Sequence, residues 1–567
     1  MKTASAMLMA GLLLLCGVDR LRAADDAFVG PPAPVKPQRE FAGVSKLIDA
    51  EIQKKLDENK LKPSPVTDDA EFLRRVYLDI TGKIPPADKA VAFLDSTDPA
   101  KRAKVIDDLL ASPDYGRHFA IIWRTNLVKR DIDNNRNLNA GPFQDWLAGQ
   151  FNENKNWDKI VQEILTAEGE VDKNPAAIFY LANRDMTRVD PAKITGAVSN
   201  MFMGVMMQCA ECHNHPFVRQ WKQTDFWGMA AFFGRVRDSA PPAQNGKQTA
   251  VSNIGETASA NTGKQRPFGG GFGKGGANPT GAVIAIPSPT QPGRTIGTAK
   301  AKFFEAEEPR LSSIPYRPTF AAWVTSPTNK YFSRSMSNRM WAHFFARGIV
   351  NPIEDMHDDN EPSHPELLTA LAKEFVASEF DLKHLIRAIT NSQTYQRTSA
   401  PIAENKDDDK LFSHQLVKVM DAEMLYDSLT MALGNEPSTG GGFTRGGGGG
   451  AGRGGPPTGR AGFVRFFDTK EDADDPTDSG HGIPQYLRLM NSAAFNRGAK
   501  ITDQLARQKA SPDQALETLY LTTLARRPTP AEAEKLKAYM AKQPDLKRGF
   551  DGALWVLLNS AEFLCVR

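Results

Sequence analysis

Five consecutive residues carry the chemistry that stands out in this chain: Cys209-Ala210-Glu211-Cys212-His213. In a C-x-x-C-H run each thiol can form a thioether to a haem vinyl group. The imidazole beside the second thiol then lies where it can ligate the iron, so this is the pattern of c-type haem attachment. With four Cys and nine His in 567 residues, such a run is expected by chance only about 4 × 10⁻⁴ times. Haem c held by Cys209 and Cys212, with His213 on the iron, is therefore the leading expectation. Two other chemistries use the same residues and stay open. Cys209, Cys212, His213 and His215 form a zinc-type donor set, although a closed zinc site usually draws its second pair from farther along the chain. Without any cofactor, Cys209 and Cys212 would form a disulfide, structural or redox-active.

Neighbouring residues add less. Met201, Phe202, Met203, Met206, Met207 and Phe217 could line an apolar haem pocket, but methionines at helical spacing serve equally well as core. The acidic run from Glu354 to Glu361 lacks EF-hand spacing and reads as a solvated loop. His343, beside Trp341 and Phe344, fits an aromatic helix face, and His364 fits the first turn of a helix. Cys565 reads as a small buried apolar residue. No nucleophile elbow, P-loop or dinucleotide fingerprint is present in a fitting context.

The elements that must position the five residues begin with an export signal. Lys2, an apolar stretch from Met7 to Val18 and small residues at Ala23-Ala24 make a secretory pattern over residues 1–23, which places the mature chain in the periplasm or cell envelope. Cys16 follows Leu13-Leu14-Leu15 and lacks the small residues of a lipoprotein site. No later stretch approaches the length of a membrane span, so no transmembrane anchor is expected after cleavage. Charges are mixed to a net +3, which gives no electrostatic case for nucleic acid. Two glycine-rich stretches, Thr262–Gly281 and Gly440–Gly462, cannot bury enough apolar surface to offset their ordering entropy and read as mobile insertions.

Most of the remainder has helical periodicity. Asp68 with Glu71 is a capping box ahead of Phe72, Val76, Tyr77 and Ile80, and Gly82 stops that helix. Pro85-Pro86 opens a second helix and Asp98-Pro99 a third. Ser363-His364-Pro365-Glu366 is another capping box. Strands are expected only at Ala282–Ile286 and Ile296–Phe304, as a hairpin around Pro292-Gly293. An internal echo is also present. Val76-Tyr77-Leu78 with Lys83-Ile84-Pro85-Pro86 recurs as Leu519-Tyr520-Leu521 with Arg526-Arg527-Pro528-Thr529. Each copy leads to Leu-x-Ser-x-acidic-aromatic, at Leu110–Tyr115 and Leu558–Phe563. Two such units could pack together and close the molecule, or merely share turn chemistry.

Residues Asp69–Gly82 and Gln208–Phe217, with Trp221 and Phe226, resemble the planctomycete cytochrome-C-like domain. Asn338–Val350, Pro362–Leu368 and Asp381–Ile386 resemble the planctomycete-specific domain that usually follows it. Members of this family are largely of unestablished activity. The resemblance implies a cytochrome-like role, and a sulfatase-like envelope protein or a redox protein as partner. Many longer relatives carry a separate N-terminal cytochrome domain that this chain lacks, so its haem site would be Cys209–His213. The expected protein is mainly α, with two helical domains, a small β hairpin between them and glycine-rich mobile insertions. Residues 1–23 are the signal and 24–40 a proline-rich linker. Residues 41–239 form the cytochrome-C-like domain with CxxCH, and 240–314 a glycine-rich linker with the hairpin. Residues 315–567 form the second domain with an insertion at 437–462. The expected role is electron transfer or redox sensing; the alternative is a non-haem scaffold, or a metal-binding partner of sulfatase-like enzymes.

Overall fold

A computed structural model describes residues 40–128, 139–185, 188–239, 253–257, 281–311, 313–434, 459–467, 482–491 and 499–567. The expected signal, nearly all of the proline-rich linker and most of both glycine-rich stretches lie outside these residues. The end of the second stretch is an exception: Gly459–Phe467 is a helix that buries Phe463, Val464 and Phe467. The apolar spacing just past the glycines outweighs their turn preference there.

Helix accounts for 57% of the structure, against sheets of only two or three strands, so the fold is mainly α. Among the described residues no helix is long and apolar enough to cross a membrane. Helix α1 (Ala42–Glu58) presents Ile48, Ile52 and Leu56 to the core. Helix α2 (Asp69–Thr81) is capped as its sequence requires: Asp68 accepts the Glu71 N–H at 2.8 Å, and Gly82 ends it at φ +68°. No Cβ fits at Gly82, because the His118 ring occupies that space. Helices α3 (Ala87–Asp95) and α4 (Lys101–Ala111) follow the two proline signals, with Asp98 accepting the Ala100 N–H at 2.8 Å. Farther on, α5 (Gln223–Ala230), α6 (Lys330–Phe345) and α7 (Pro365–Ala377) surround the motif or lead to it. The expected capping box before α7 does not form. His364 is the N-cap residue and has no side-chain cap bond, while Ser363 donates its hydroxyl to the Ile349 carbonyl at 3.2 Å.

Strands β1 (Gly169–Glu170), β2 (Val236–Ser239) and β3 (Asn253–Glu256) form one small antiparallel sheet in the order β1-β3-β2. The hairpin is present as β4 (Val283–Pro287) and β5 (Thr295–Lys300), turning at Gly293 with φ +83°. Strands β6 (Lys418–Val419) and β7 (Cys565–Val566) pair near the C-terminus.

Two apolar cores result, and they do not divide the chain at the hairpin. The first runs from Ile48 to Phe412 and also takes in Leu521 and Ala525. The second gathers residues from Met420 to Val566, together with Leu78 and Ile84. Helix α2 sits between them and is buried around most of its circumference, charged residues included. Arg74 donates to the carbonyls of Thr523 and Phe563, both at 2.7 Å. Arg75 donates to Glu71 at 2.6 Å, to the carbonyls of Tyr395 and Arg397 at 2.8 and 3.0 Å, and to that of Arg567. Asp79 accepts from Tyr395 at 2.8 Å and Lys418 at 2.5 Å.

The sequence echo is structural and extends over three helices. Helices α8 (Pro512–Leu524), α9 (Pro530–Met540) and α10 (Leu546–Leu558) repeat the order α2, α3, α4. Ser511 caps α8 where Asp68 caps α2, and Ala525 takes the left-handed φ of +57° where Gly82 takes +68°. Lys83 pairs with Asp114 in the first unit, as Arg526 pairs with Glu562 at 2.7 Å in the second. The units also exchange core residues, Leu78 and Ile84 going one way and Leu521 and Ala525 the other.

Replacing Arg74 with Ala strands two buried carbonyls and should cost about 2–4 kcal/mol in urea unfolding. Arg527→Ala, which breaks only exposed ion pairs, with Asp95 and Glu517, both at 2.9 Å, should change stability little; equal losses would reject α2 as the central tie. A second expectation is acid lability. Burial holds His364 down at about 4, helped by Lys55, and His118 at about 3, helped by His343. Both lie below the unfolded value near 6.5, so the unfolded chain binds these protons first. Their contribution is whole above about pH 6.5 and is lost as pH falls toward 4, at about 1.4 kcal/mol per unit per site. Urea midpoints that stay flat from pH 7 to 4.5 would contradict this.

Candidate functional site

The motif is delivered by a short, tightly folded run. A helix from Pro191 to Val198, capped by Asp190 on the Ala192 N–H at 2.9 Å, passes into a π-turn at Ser199–Met203. Gly204 then reverses the chain at φ +67°, where a Cβ would meet Ser335 of α6 and the Met356 sulfur at 3.1–3.2 Å. A 3₁₀ turn, Met207–Ala210, carries Cys209, and Cys212 and His213 follow on the loop. Phe202, Met203 and Met207 are fully buried core, and Met201 packs against the core half-buried. Phe217 points outward and is 74% exposed. No apolar pocket is therefore preformed by these residues; the hydrophobic effect draws the methionines inward first.

Polar clamps fix the loop instead. The Glu211 carbonyl accepts from Trp227 Nε1 at 2.9 Å and from Gln223 Nε2 at 3.0 Å, both on α5. Asn214 Oδ1 caps α5 by accepting the Gln223 N–H at 3.1 Å. His215 N–H donates to the Trp221 carbonyl at 2.9 Å, which closes a small second loop. Cys209 is half-buried, Cys212 is exposed, and both are unbonded thiols.

The two histidines are set for different work. His213 is exposed, and its Nδ1–H donates to the Asn214 carbonyl at 2.6 Å. Since a carbonyl can only accept, this fixes the tautomer and leaves Nε2 with a free lone pair. Metal-binding imidazoles are generally oriented in just this way, by giving the other N–H to a carbonyl or carboxylate. His215 is buried, and its Nδ1 accepts the Val218 N–H at 2.9 Å. Burial pushes His215 below its ordinary range; the Met206 backbone opposes that, while nearby His357 and His213 lower it further. The polar contacts of His215 are to the loop backbone. Glu211 is shifted up, by burial first and then by Asp190.

Distant segments complete the surroundings, and no sequence spacing announced them. Trp221 lies edge-on to His215 at 5.1 Å and to His357 at 6.2 Å. Its Nε1 donates to Glu305 at 3.3 Å, and the Tyr331 hydroxyl donates to the other oxygen of that carboxylate at 2.8 Å. His357 is held by Asp355 at 3.2 Å and by the Asp359 N–H at 3.2 Å. The acidic run is thus folded against the motif rather than simply solvated: Met356 N–H donates to the Gly204 carbonyl at 2.9 Å, and Glu354 pairs with buried Arg339 at 2.8 Å. His343 is half-buried on the aromatic face of α6 and donates through Nε2 to the Asp79 carbonyl at 2.8 Å. Cys565 is only half-buried, in β7 against α2, away from the other two thiols.

The geometry can now be set beside known proteins. Residues 47–238 match the family model PSCyt2 and residues 316–445 match PSD1, each described as a protein of unknown function (DUF1549 and DUF1553). The chain carries the planctomycete cytochrome-C-like domain followed by the C-terminal domain. Cys209, Cys212, His213 and His215 fall in the PSCyt2 match, and Asp355 and His357 in PSD1, so both domains build the neighbourhood of the motif. No curated protein and no solved structure matches the chain. Among the described residues, no three His, Cys, Asp or Glu side chains converge as a metal-holding group.

If the Trp227 clamp holds the motif, Trp227→Phe keeps an aromatic side chain, though a smaller one, and removes the N–H. Cys209 in the cofactor-free protein should then react about 2–10-fold faster with a thiol reagent, as expected for one lost hydrogen bond. Cys212, already exposed, should not change. Equal rates for Cys209 in both proteins would show that the clamp does not order the loop.

Proposed function

We propose that the Cys209–His213 loop is a covalent attachment site for haem c, in an exported one-electron carrier or redox sensor of the cell envelope. The observation that carries the reading is the state of His213. Its Nδ1 is tied to the Asn214 carbonyl and its Nε2 is unengaged, beside two unbonded thiols three residues apart. Such a group supplies one-electron chemistry when bound. Cys209 and Cys212 would hold it by thioether bonds, and His213 would offer Nε2 to the iron. The loop lies at the surface, so little must move for attachment.

A haem held by this loop would find no second protein ligand among the nearby imidazoles and would be open to water or a small molecule. His215 and His357 are the nearby imidazoles, and both are engaged: His215 by the Val218 N–H, His357 by Asp355 and the Asp359 N–H. An open position favours sensing or peroxide chemistry over fast electron exchange, where two fixed ligands limit reorganisation. The scaffold alternative, with a Cys209–Cys212 disulfide and a redox or sulfatase-like envelope partner, uses the same loop without haem.

The mature protein, made with cytochrome c maturation machinery, should give a pyridine haemochrome whose haem survives acid-acetone extraction. Cys209→Ser with Cys212→Ser should abolish that retention. The ferric form should be high-spin, and the ferrous form should bind carbon monoxide. Colourless protein from the native host would overturn the haem reading in favour of the disulfide. A low-spin spectrum indifferent to carbon monoxide would leave haem and remove the open site.

A further inference from the structure

The duplicated three-helix unit provides an internal comparison, because one copy is sealed where the other is open. In the second copy the Tyr520 ring is 3% exposed. Arg526 covers it, with the guanidinium 5.1 Å from the ring centre, held by Glu532 at 2.8 Å and Glu562 at 2.7 Å. Helix α9 also lies tightly along α10, whose Gly549 and Gly552 permit the approach. A Cβ at Gly549 would meet Met540 at 3.3 Å, and one at Gly552 would collide with the Tyr539 phenol.

Counting back from Leu558 and Leu110, those two glycines correspond to Lys101 and Lys104 in the first copy; counting from the helix caps, Tyr539 corresponds to Ser96. The plug and the room for it are both missing. Helix α3 packs on α2 and α8 and stands away from α4. Between α3 and α4 lies an open groove of about 710 Å³, with Ile84, Phe93 and Val105 among its apolar lining and Tyr77, Ser96 and Asp108 among its polar lining. That volume is within the usual range for small-ligand sites.

The covering residues have changed as well. Lys83 stands where Arg526 stands but is drawn to Asp114, and Lys89 replaces Glu532. No cation lies over the Tyr77 ring among the described residues, and its hydroxyl has no hydrogen-bond partner. Of the lysines around the groove, Lys83, Lys101 and Lys104 are already paired, with Asp114, Asp69 and Asp98. Asp88 and Asp108 are in no ion pair among the described residues, yet both lie near Tyr77. Its phenol is pushed up to about 12, by burial first and then by Asp108 and Asp88. An uncovered aromatic face beside two unpaired carboxylates attracts a cation, as the Arg526 arrangement does within the second copy.

We infer that the groove between α3 and α4 binds a guanidinium or alkylammonium group on an apolar stem, with Tyr77 as the platform and Asp108 as the counter-charge. The site is independent of the haem reading. The cation can come from a side chain of a partner protein or from a free small molecule, and two probes separate these sources: N-acetylarginine methylamide and agmatine. Calorimetric titration of the mature protein should detect the first probe alone if the site selects a peptide side chain, and both if it takes free cations. Asp108→Asn and Tyr77→Leu should each weaken binding about 10-fold, and Tyr77→Phe by less than about 3-fold. The double variant Ser96→Tyr with Lys104→Gly rebuilds the plug of the second copy and should abolish binding while unfolding in urea like the parent. It serves as the control should Tyr77→Leu lose its fold. Failure of both probes to bind at 50 mM, binding indifferent to Asp108→Asn and to the plug, or preferential binding of acetate would each overturn the proposal.

Discussion

The burial of charge in α2 is the constraint on which the rest of the structure depends. Arg74, Arg75 and Asp79 lie on a helix that is apolar toward two cores at once, and each must be satisfied away from water. The cost of leaving such groups unpaired exceeds the gain from burying a single apolar side chain, so their partners are obligatory. Those partners come from Thr523, Phe563 and Arg567 at one end of the chain and from Tyr395, Arg397 and Lys418 in the middle. One helix near the N-terminus thereby fixes where the C-terminal unit must sit. The Arg74 guanidinium is drawn down to about 10 by burial, which places it still well within its charged form at neutral pH.

This tie explains why the cores ignore the division suggested by the hairpin. Residues 41–239 do not close a core of their own; α6 and α7 supply Trp341, Phe344, Leu367 and Leu371 to it. The motif inherits that dependence. Gly204 passes over Ser335 of α6, and the acidic run after α6 folds back onto Gly204 and Trp221. A loop built this way is held firmly at its base and exposed at Cys212 and His213. Such a combination fixes the backbone while leaving the side-chain atoms accessible.

The duplicated unit is the second organising element. A capped first helix and a left-handed corner after it, at Asp68 and Gly82 and again at Ser511 and Ala525, recur in both copies, since these are local rules. What differs is side-chain bulk between the second and third helices. Glycines at 549 and 552 allow close packing, whereas the corresponding lysines at 101 and 104 flank an open groove between α3 and α4. The same backbone motif thus serves as a sealed structural clasp at one end of the chain and an open groove at the other.

By itself the sequence determined the local elements and marked a candidate donor set. Asp68 and Gly82 bounded α2, the hairpin formed around Gly293, the echo at 519–529 marked a true repeat, and Cys209, Cys212 and His213 were legible because their chemistry depends on adjacent positions. Short-range capping, periodicity and motif spacing are written within a few residues. Three things were decided only by the tertiary structure. His215 took the Val218 N–H as a backbone acceptor, His357 and Glu305 were brought to Trp221 from about 80 to 140 residues away, and the methionine run turned into the core. Ser363 lost its expected cap to the Ile349 carbonyl for the same reason. Each outcome depends on which distant surface arrives to compete for a donor, an acceptor or an apolar face. No local spacing encodes that competition; burial on folding resolves it.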